Sequence, residues 1–403
     1  MEVDIPKQVY YGRVKRIREY LQEHELKALL VFESQNLMYI SGFIDDSGNP
    51  VERPIVCVVP LEEEPFMILC ELSRNRALFE IESKTCPIED IRFYAEHPQQ
   101  VNRTYYTTQW ADMVVDILAE KKCLGGRLGL DVPPASVDSV LAVKLSKMMD
   151  ASDLLREMRL IKCKEELDLI RVCGPFSDLG QEVLRQEIHV GKSQLEIGVE
   201  ATTAMRREGA KKYPDACIRA TAAVFGSGPV YSVMPDAVRG VGRKLERGDN
   251  LIDITDFRLN MYGVENERTF IIGPASEKQV RAFNVMVEAQ ERAFEAERPG
   301  NKMSDVDAAA RKVFEDAGYG DCISHRTYHG MGLHMGQYNH EYPYLTSFME
   351  RKIMSGMVFS CEPGIYVPGV GGFRHSDTVI ITDSGPERVT NFPRDLESLT
   401  VKT

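Results

Sequence analysis

Residues 359–377, FSCEPGIYVPGVGGFRHSD, alternate apolar runs with Pro-Gly and Gly-Gly breaks. This pattern predicts two strands joined by a turn, because Pro and Gly interrupt strands that the apolar runs form. The first strand ends on Glu362, and Arg374, His375 and Asp377 crowd into the second. Buried charges have to be paired or coordinated. The segment therefore indicates a functional site, and the alternative is an edge hairpin with a solvated charged rim.

The composition is that of a soluble globular protein. The chain has 403 residues, of which 43% are hydrophobic and 27% charged, and this length suggests two to three domains. The net charge of −12 argues against nucleic-acid binding, since no basic stripe is available to neutralise phosphates. No apolar run reaches the roughly 18 residues of a membrane span, and the N-terminus lacks the apolar core of a signal peptide.

The nine cysteines are an odd number, and none belongs to a CxxC motif. Most lie in apolar surroundings, such as Cys57 in IVCVV and Cys361 in FSCE. Cysteines in such surroundings act as small core residues, and disulfides are rare in the reducing cytosol. The sequence therefore predicts a reduced, cytoplasmic protein without a zinc–thiolate site.

Hydrophobic periodicity predicts two domains. A smaller α/β domain, placed at residues 1–156, alternates helices with buried strands. A helix is predicted at 148–159, and the boundary is placed near residue 157. The larger domain, 157–403, opens with long amphipathic helices at 165–184 and 194–208 and continues with strands of antiparallel character, which is typical of an α+β fold.

A second polar cluster lies on the strand-like sequence LIDITDFRLNMYGVENERTF. Asp253 follows an apolar strand, and Glu265, Glu267 and Arg268 follow a Tyr-Gly break. Because alternate residues of a strand share a face, Glu265 and Glu267 are expected to point together, with Arg268 opposite. The alternative is a surface Glu–Arg pair of little energetic consequence.

Histidines concentrate in one stretch, HRTYHGMGLHMGQYNHEYPY. Four of the eight histidines of the chain lie there, namely His325, His329, His334 and His340. Glycines next to a histidine allow the backbone or a ligand to approach closely, and imidazole is both a base and a metal ligand. His329 is the best candidate for catalysis or ligation, because glycines stand one and three positions after it.

A Gly- and Pro-rich loop, GSGPVYSVMPDAVRG, carries Asp236 directly after Pro235. Taken alone this is a weak signal, since Asp is common in surface turns.

Taken together, these motifs resemble the family of creatinase, Xaa-Pro aminopeptidase and prolidase, the pita-bread hydrolases. The resemblance covers nearly the whole chain through NLMYISGF, YHGMG, HEYP, CEPGIY, GGFRHSD and NFPRDLESL, in that order. It implies a C-terminal pita-bread domain, with an antiparallel sheet flanked by two helix pairs, behind a creatinase-like N-terminal domain. It also implies a homodimer.

The metallopeptidases of this family hold two divalent metals with two Asp, one His and two Glu. By resemblance, Asp253, Glu265, His329 and Glu362 fill four of these places, with one residue inserted between Asp253 and Glu265. Ser376 stands where the last Glu belongs. Without a bridging carboxylate two close dications repel strongly. The resemblance therefore implies either no cofactor or one divalent metal, Mn, Zn or Co.

Creatinase, a member of the same family, needs no metal. Two glutamates of this chain match the creatinase branch more closely than the metallopeptidase branch. Glu267 in ERT and Glu362 in CEPG match the pair that holds the cationic guanidinium of the substrate. Arg53 matches the arginine that reaches the substrate carboxylate. Two carboxylates facing one pocket call for a cation between them.

The sequence leaves more than one candidate for the residue that moves the proton. The family places a histidine where this chain has Asp236, so His329 or His375 is an alternative base. His340 and Arg374 are expected to contact substrate. The spacing from His329 to His340 is eleven residues where the family has seven, which reshapes one wall of the pocket.

Three functions follow from the resemblance. The leading expectation is a creatinase-like, metal-independent hydrolase of a C–N bond in a small substrate. The second is an Xaa-Pro aminopeptidase or prolidase-type metallopeptidase with an altered metal site, acting on short peptides. The third is a non-catalytic pseudo-hydrolase that keeps the fold as a binding module.

Overall fold

The computed structural model describes residues 3–44, 53–83, 85–94, 107–133, 135–145, 147–235, 240–336, 340–345 and 347–402. It divides the chain into two compact units, Glu2–Arg159 and Leu160–Thr403.

The N-terminal unit is built on a six-stranded mixed sheet with the order β4-β3-β2-β1-β5-β6. Continuous apolar runs such as VCVVP and FMILC form inner strands that are buried on both faces. Its strands are β1 Leu26–Val31, β2 Val56–Pro60, β3 Phe66–Cys70, β4 Asp90–Tyr94, β5 Arg127–Leu130 and β6 Met148–Asp150, and its helices are α1 Lys7–Glu23, α2 Ser34–Ser41, α3 Arg74–Glu82, α4 Thr107–Glu120, α5 Ala135–Lys144 and α6 Ser152–Leu160, with a 3₁₀ turn at Glu71–Ser73.

The helix predicted at 148–159 is wrong in its first turn. Residues Met148–Asp150 form β6, which pairs with β5 in parallel, and the helix begins only at Ser152. The Asp150 carboxylate accepts a hydrogen bond from the Ser152 backbone N–H at 2.9 Å. Asp at this position favours a helix start over a helix interior, because its side chain competes for backbone donors.

The C-terminal unit contains a nine-stranded sheet whose main path is β11-β10-β12-β15-β9-β8-β7, with β16 beside β15 and β17 beside β9. Its strands are β7 Ile218–Ser227, β8 Asn250–Leu259, β9 Tyr262–Ile272, β10 Tyr328–Gly330, β11 Glu341–Leu345, β12 Val358–Cys361, β13 Gly364–Val367, β14 Gly371–Arg374, β15 Ser376–Thr382, β16 Gly385–Arg388 and β17 Thr400–Val401; β13 and β14 form a separate hairpin. Its helices are α7 Lys164–Glu187, α8 Gln194–Lys212, α9 Gly228–Tyr231, α10 Glu277–Ala296, α11 Met303–Asp316 and α12 Leu396–Leu399, with a 3₁₀ turn at Gly320–Cys322.

Two helix pairs, α7 with α8 and α10 with α11, pack against this sheet. Two of these helices start where a serine and the residue three positions later satisfy each other's backbone N–H groups. Ser193 and Glu196 do so at the start of α8, and Ser276 and Gln279 do so at the start of α10. Such capping boxes fix helix starts locally, and the helix predicted at 194–208 begins at the first of them.

The β8–β9 hairpin determines which side chains share a face. Its ladder runs without a bulge from Asn250 opposite Ile271 to Leu259 opposite Tyr262. Asn260 and Met261 close it as a two-residue turn, with φ of 45° and 65°, and turns with two positive φ values match the twist of paired strands. The register of both strands is therefore set by this turn.

The edge strand of the sheet, β7, is covered by side chains of α8. The Thr202 hydroxyl accepts from the Ala222 backbone N–H at 2.8 Å, and Arg206 Nε donates to the Ala220 carbonyl at 3.1 Å. Backbone groups that an edge strand normally exposes are thus engaged within the unit.

Among the described residues, no helix has both the length and the apolar character that crossing a bilayer requires.

Candidate active site

A cavity of about 490 Å³ opens in the C-terminal unit, and carboxylates, histidines and arginines line it. Strands β7, β8, β9 and β14 and the loops before β10 and after β12 contribute the wall. The lining residues are Phe225, Pro235, Ile254, Glu265, Glu267, Ser324, His325, Arg326, His340, Glu362 and Arg374.

The structure does not bring Asp253 to this cavity. Asp253 pairs with Arg268, and its carboxylate accepts a hydrogen bond from Gln181 of α7 at 2.6 Å. Ile254 pairs with Glu267 and lines the cavity instead. Across the two-residue turn, Ile254 and Glu265 (265 − 254 = 11) share a face, whereas Asp253 and Glu265 (265 − 253 = 12) cannot, because successive side chains alternate. Asp253 is therefore a helix contact, not a ligand in this group.

His329 is placed by β10, fully buried, with one ring nitrogen facing two carboxylates of the cavity wall. Its Nδ1 lies 2.9 Å from the Gly330 carbonyl, so Nδ1 carries the proton and Nε2 keeps its lone pair. Nε2 lies 3.5 Å from Glu362 and 3.9 Å from Glu265 and has no hydrogen-bond partner within the described residues. Burial lowers the pKa of His329 well below its usual range. The side chain is thus a neutral, oriented donor of one lone pair.

Glu265 presents a single oxygen to His329. Its other oxygen accepts a hydrogen bond from the Ser376 hydroxyl at 3.0 Å. Burial, with the nearby charge of Glu362, raises the pKa of Glu265 to about 8. Burial, with the charge of Glu267, raises the pKa of Glu362 to about 8 as well. Arg374 opposes both shifts, and Arg326 also opposes that of Glu362, yet both pKa values stay raised. A bound cation would supply further positive charge.

Glu267 already has its positive partner. Arg374 binds it through two hydrogen bonds, Nε to Oε2 at 2.5 Å and Nη2 to Oε1 at 2.6 Å. Burial raises the pKa of Glu267 and Arg374 opposes that shift; since the guanidinium keeps its proton, the pair is ionic. Glu267 and Arg374 were each predicted to contact the substrate. In the structure they bind each other instead.

His340 stands beside His329, with ring centroids 3.9 Å apart. Arg326 Nη2 donates to His340 Nδ1 at 3.2 Å. Burial lowers the pKa of His340 to about 4, so the ring is neutral and its proton sits on Nε2. Glu265, His329 and His340 lie close enough together for one ion to contact all three, although a protonated ring nitrogen is a donor rather than a ligand.

Three other residues were predicted to belong to the site, and the described structure places none of them in the cavity wall. His375 is buried, packs edge-on against Phe283 with ring centroids 5.3 Å apart, and is absent from the cavity wall, because it alternates with Arg374 on the chain. Arg53 is half-buried in the N-terminal unit, and its role stays a prediction. Asp236 lies outside the described residues.

Several cavity residues were missed from the sequence. Ile254 could have been found by counting positions across the hairpin. His325 bonds Tyr366 at 2.8 Å, and Arg374 lies 4.9 Å over the ring of Phe225; these contacts join distant segments, so no local pattern signals them.

The side chains of Glu265, His329 and Glu362 together offer donor atoms that suit a divalent cation. Carboxylate oxygens and a neutral imidazole nitrogen are ligands that Mn²⁺, Zn²⁺ and Co²⁺ accept. A backbone carbonyl that fixes the tautomer of the ligating histidine is the usual second contact of such a residue. The expected absence of a cofactor is not supported by this arrangement.

Comparisons with known proteins agree with this geometry. Residues 168–383 match metallopeptidase family M24, and residues 13–161 match the creatinase/prolidase N-terminal domain. The Xaa-Pro dipeptidase of Pyrococcus furiosus is 34% identical over 95% of this chain and 99% of its own. The probable dipeptidase PepE of Mycobacterium tuberculosis is 32% identical over 96% of both chains.

Solved structures of dipeptidases share the fold of this chain. The prolidase from Pyrococcus horikoshii superposes with a TM-score of 0.76 at 25% identity, over 96% of this chain and 99% of that one. The dipeptidase PepE from Mycobacterium ulcerans has a TM-score of 0.78 at 25% identity, over 99% and 100%. The predicted pita-bread fold with its creatinase-like N-terminal domain is confirmed. These relatives favour the metallopeptidase alternative over the metal-independent creatinase-like expectation.

Proposed function

Because the chain belongs to metallopeptidase family M24, a family of hydrolases that act on C–N bonds, we propose that it hydrolyses the peptide bond of dipeptides or short peptides with the help of a divalent cation. The observation that carries the proposal is the unpartnered Nε2 of buried His329 facing two carboxylates. The dipeptidase names of its relatives support the substrate class.

Glu265, His329 and Glu362 would hold the cation. Three protein ligands leave open positions for water and substrate, as catalytic sites require. When bound, the cation supplies Lewis acidity to a carbonyl oxygen. Gly330 keeps the His329 lone pair directed toward Glu265 and Glu362, and Ser376 fixes the orientation of Glu265.

His340 is assigned the role of hydrogen-bond donor to the substrate. Arg326 donates to its Nδ1, so a neutral ring offers N–H at Nε2. A preorganised donor aimed at developing negative charge stabilises the transition state of acyl transfer. His340→Gln is expected to lower kcat without removing the cation.

The free carboxylate of a dipeptide needs a cationic contact. Arg326 lines the cavity, and its Nη2 donates to His340, the residue assigned above as a donor to the substrate. Guanidinium groups bind carboxylates in a matching planar geometry. We assign the carboxylate end to Arg326, and Arg53 of a homodimer partner remains a second contact for it.

The test begins with protein stripped of metal by a chelator. It is assayed for release of free amino acid from Ala-Pro, Ala-Ala and Ala-Pro amide, before and after addition of Mn²⁺, Zn²⁺ or Co²⁺. Hydrolysis that appears only with metal supports the proposal, and Glu362→Gln serves as the inactive control. Creatine cleavage by the stripped protein would overturn it in favour of creatinase-like chemistry. A protein that takes up metal but cleaves no peptide would be a binding module.

A further inference from the structure

We infer that the cavity holds a single divalent cation, with the place of a second one taken by the ion pair of Glu267 with Arg374. The inference rests on the proposed function for the presence of a cation and goes beyond it in the number bound. Three features of the cavity carry it independently.

The first feature is the use of the two oxygens of Glu265. Ser376 donates to Oε1 at 3.0 Å, and Oε2 is the oxygen that faces His329 at 3.9 Å. A carboxylate commonly bridges two cations by presenting one oxygen to each, and here Oε1 faces the Ser376 hydroxyl instead of a second ion. Glu265 therefore serves one ion. Ser376 itself offers a neutral hydroxyl, which does not offset the repulsion between two neighbouring dications.

The second feature is an apolar wall. Ile254 shares the cavity face with Glu265 and Glu267, while Asp253, its neighbour on the strand, points to Gln181 on the other face. A side chain without lone pairs cannot ligate an ion, and the unbroken ladder allows no slip that would exchange the two residues. Asp256, the next residue of β8 on this face, is held by Arg258 at 2.8 and 3.0 Å and does not line the cavity. The part of the cavity next to Ile254 therefore lacks a ligand from β8.

The third feature is the charge already present in the other half. Glu265, Glu267 and Glu362 form a group of three carboxylates close enough to share one ion. Both oxygens of Glu267 accept hydrogen bonds from Arg374, whose guanidinium supplies one fixed positive charge. Glu265 and Glu362 are then the two acids of this group to which Arg374 donates no hydrogen bond, and two carboxylates, once ionised, balance the charge of a single divalent cation.

Binding of Mn²⁺ alone to the metal-free protein tests this without an activity assay. Isothermal titration should give one equivalent per chain, and electron paramagnetic resonance should give the spectrum of an isolated Mn²⁺. Two tight equivalents with a spin-coupled spectrum would overturn the inference and leave the proposed function standing. Failure to bind Mn²⁺ would overturn both the inference and the metal-assisted part of the proposed function.

The double variant Ile254→Asp/Ser376→Glu adds a carboxylate at each missing place. It is expected to bind a second equivalent and to show spin coupling between the two ions. Asp253→Asn is the matched control, because it alters a carboxylate of the same strand on the opposite face, and it should bind one equivalent. Circular dichroism identifies variants that fail to fold, in which case the wild-type stoichiometry decides. A folded double variant that still binds one ion would count against the inference. One equivalent without any peptide hydrolysis would refute only the proposed function.

Discussion

Glu267 and Arg374 face each other inside the cavity, joined by hydrogen bonds of 2.5 and 2.6 Å, with both side chains buried. Each was expected from the sequence to contact substrate. Their pairing removes the unpaired carboxylate on which a creatinase-like reading depended, and it leaves Glu265 and Glu362 as the acids that still need a cation.

Glu267→Gln should destabilise the fold. Removing one member of a buried ion pair strands the other, at a cost of about 3 to 5 kcal/mol. Urea unfolding measures the loss, and the double variant Glu267→Leu/Arg374→Met should recover most of it. Unchanged stability together with lost turnover would instead assign Glu267 to the substrate.

Asp253→Asn should leave Mn²⁺ uptake unchanged. Asp253 lies on the face opposite the cavity, where Gln181 donates to its carboxyl group at 2.6 Å, and burial raises its pKa well above its usual range. The amide of Asn has nearly the same shape and still offers an oxygen to Gln181. We expect a stability change within about 1 kcal/mol. Glu362→Gln, on the cavity face, should lose the ion. Loss of Mn²⁺ binding in the Asp253 variant would place that residue among the ligands after all.

Adding Mn²⁺ should raise the melting temperature of the stripped protein. An ion that binds only the folded state stabilises it by about 2.7 kcal/mol when present at one hundred times its Kd. Differential scanning calorimetry with and without Mn²⁺ measures the shift. His329→Ala should abolish it and His340→Gln should not; equal loss in both variants would make His340 a ligand.

Glu297 should make stability fall with rising pH. It is fully buried at the end of α10, and burial raises its pKa to about 8, although Cys361 and Arg388 oppose the shift. The unfolded chain loses this proton near the ordinary glutamate pKa, so stability is complete below that value and declines up to about pH 8. Each unit of difference in pKa corresponds to about 1.4 kcal/mol. Glu297→Gln should flatten the decline in chemical denaturation between pH 5 and 9, and an equally steep profile would contradict this account.

A homodimer remains our expectation. Analytical ultracentrifugation should give about twice the 45.5 kDa of one chain. If Arg53 serves the site of the partner, mixed dimers of Arg53→Ala and Glu362→Ala chains should regain part of the activity. Verified mixed dimers without activity would remove Arg53 from the partner's site.

Much of this architecture was predictable because its signals are local. Capping serines mark helix starts, and Pro-Gly breaks mark the link that carries Glu362 and the turn of the hairpin that ends at Arg374. Glu265 and Glu267 were correctly expected to share a face, since that follows from alternation within one strand. Asp253 was misplaced because the facing strand has its own alternation, and only the turn at Asn260 relates the two.

Contacts between charged residues were the other part of the site that the sequence did not predict. Arg374 and Glu267 are 107 positions apart, and nothing near either residue indicates its partner. The same holds for Arg326, whose contact with His340 sets the position of a ring proton. Motifs locate ionisable groups, whereas their charge state depends on neighbours from distant segments.

The covering of β7 by α8 has a consequence for solubility. An open sheet edge is a template on which another chain can add a strand, and this is a common start of aggregation. Thr202 and Arg206 occupy the backbone groups of Ala220 and Ala222 that such a strand would need. The strand of a second copy would therefore find these backbone groups already occupied and could not extend the sheet at these positions.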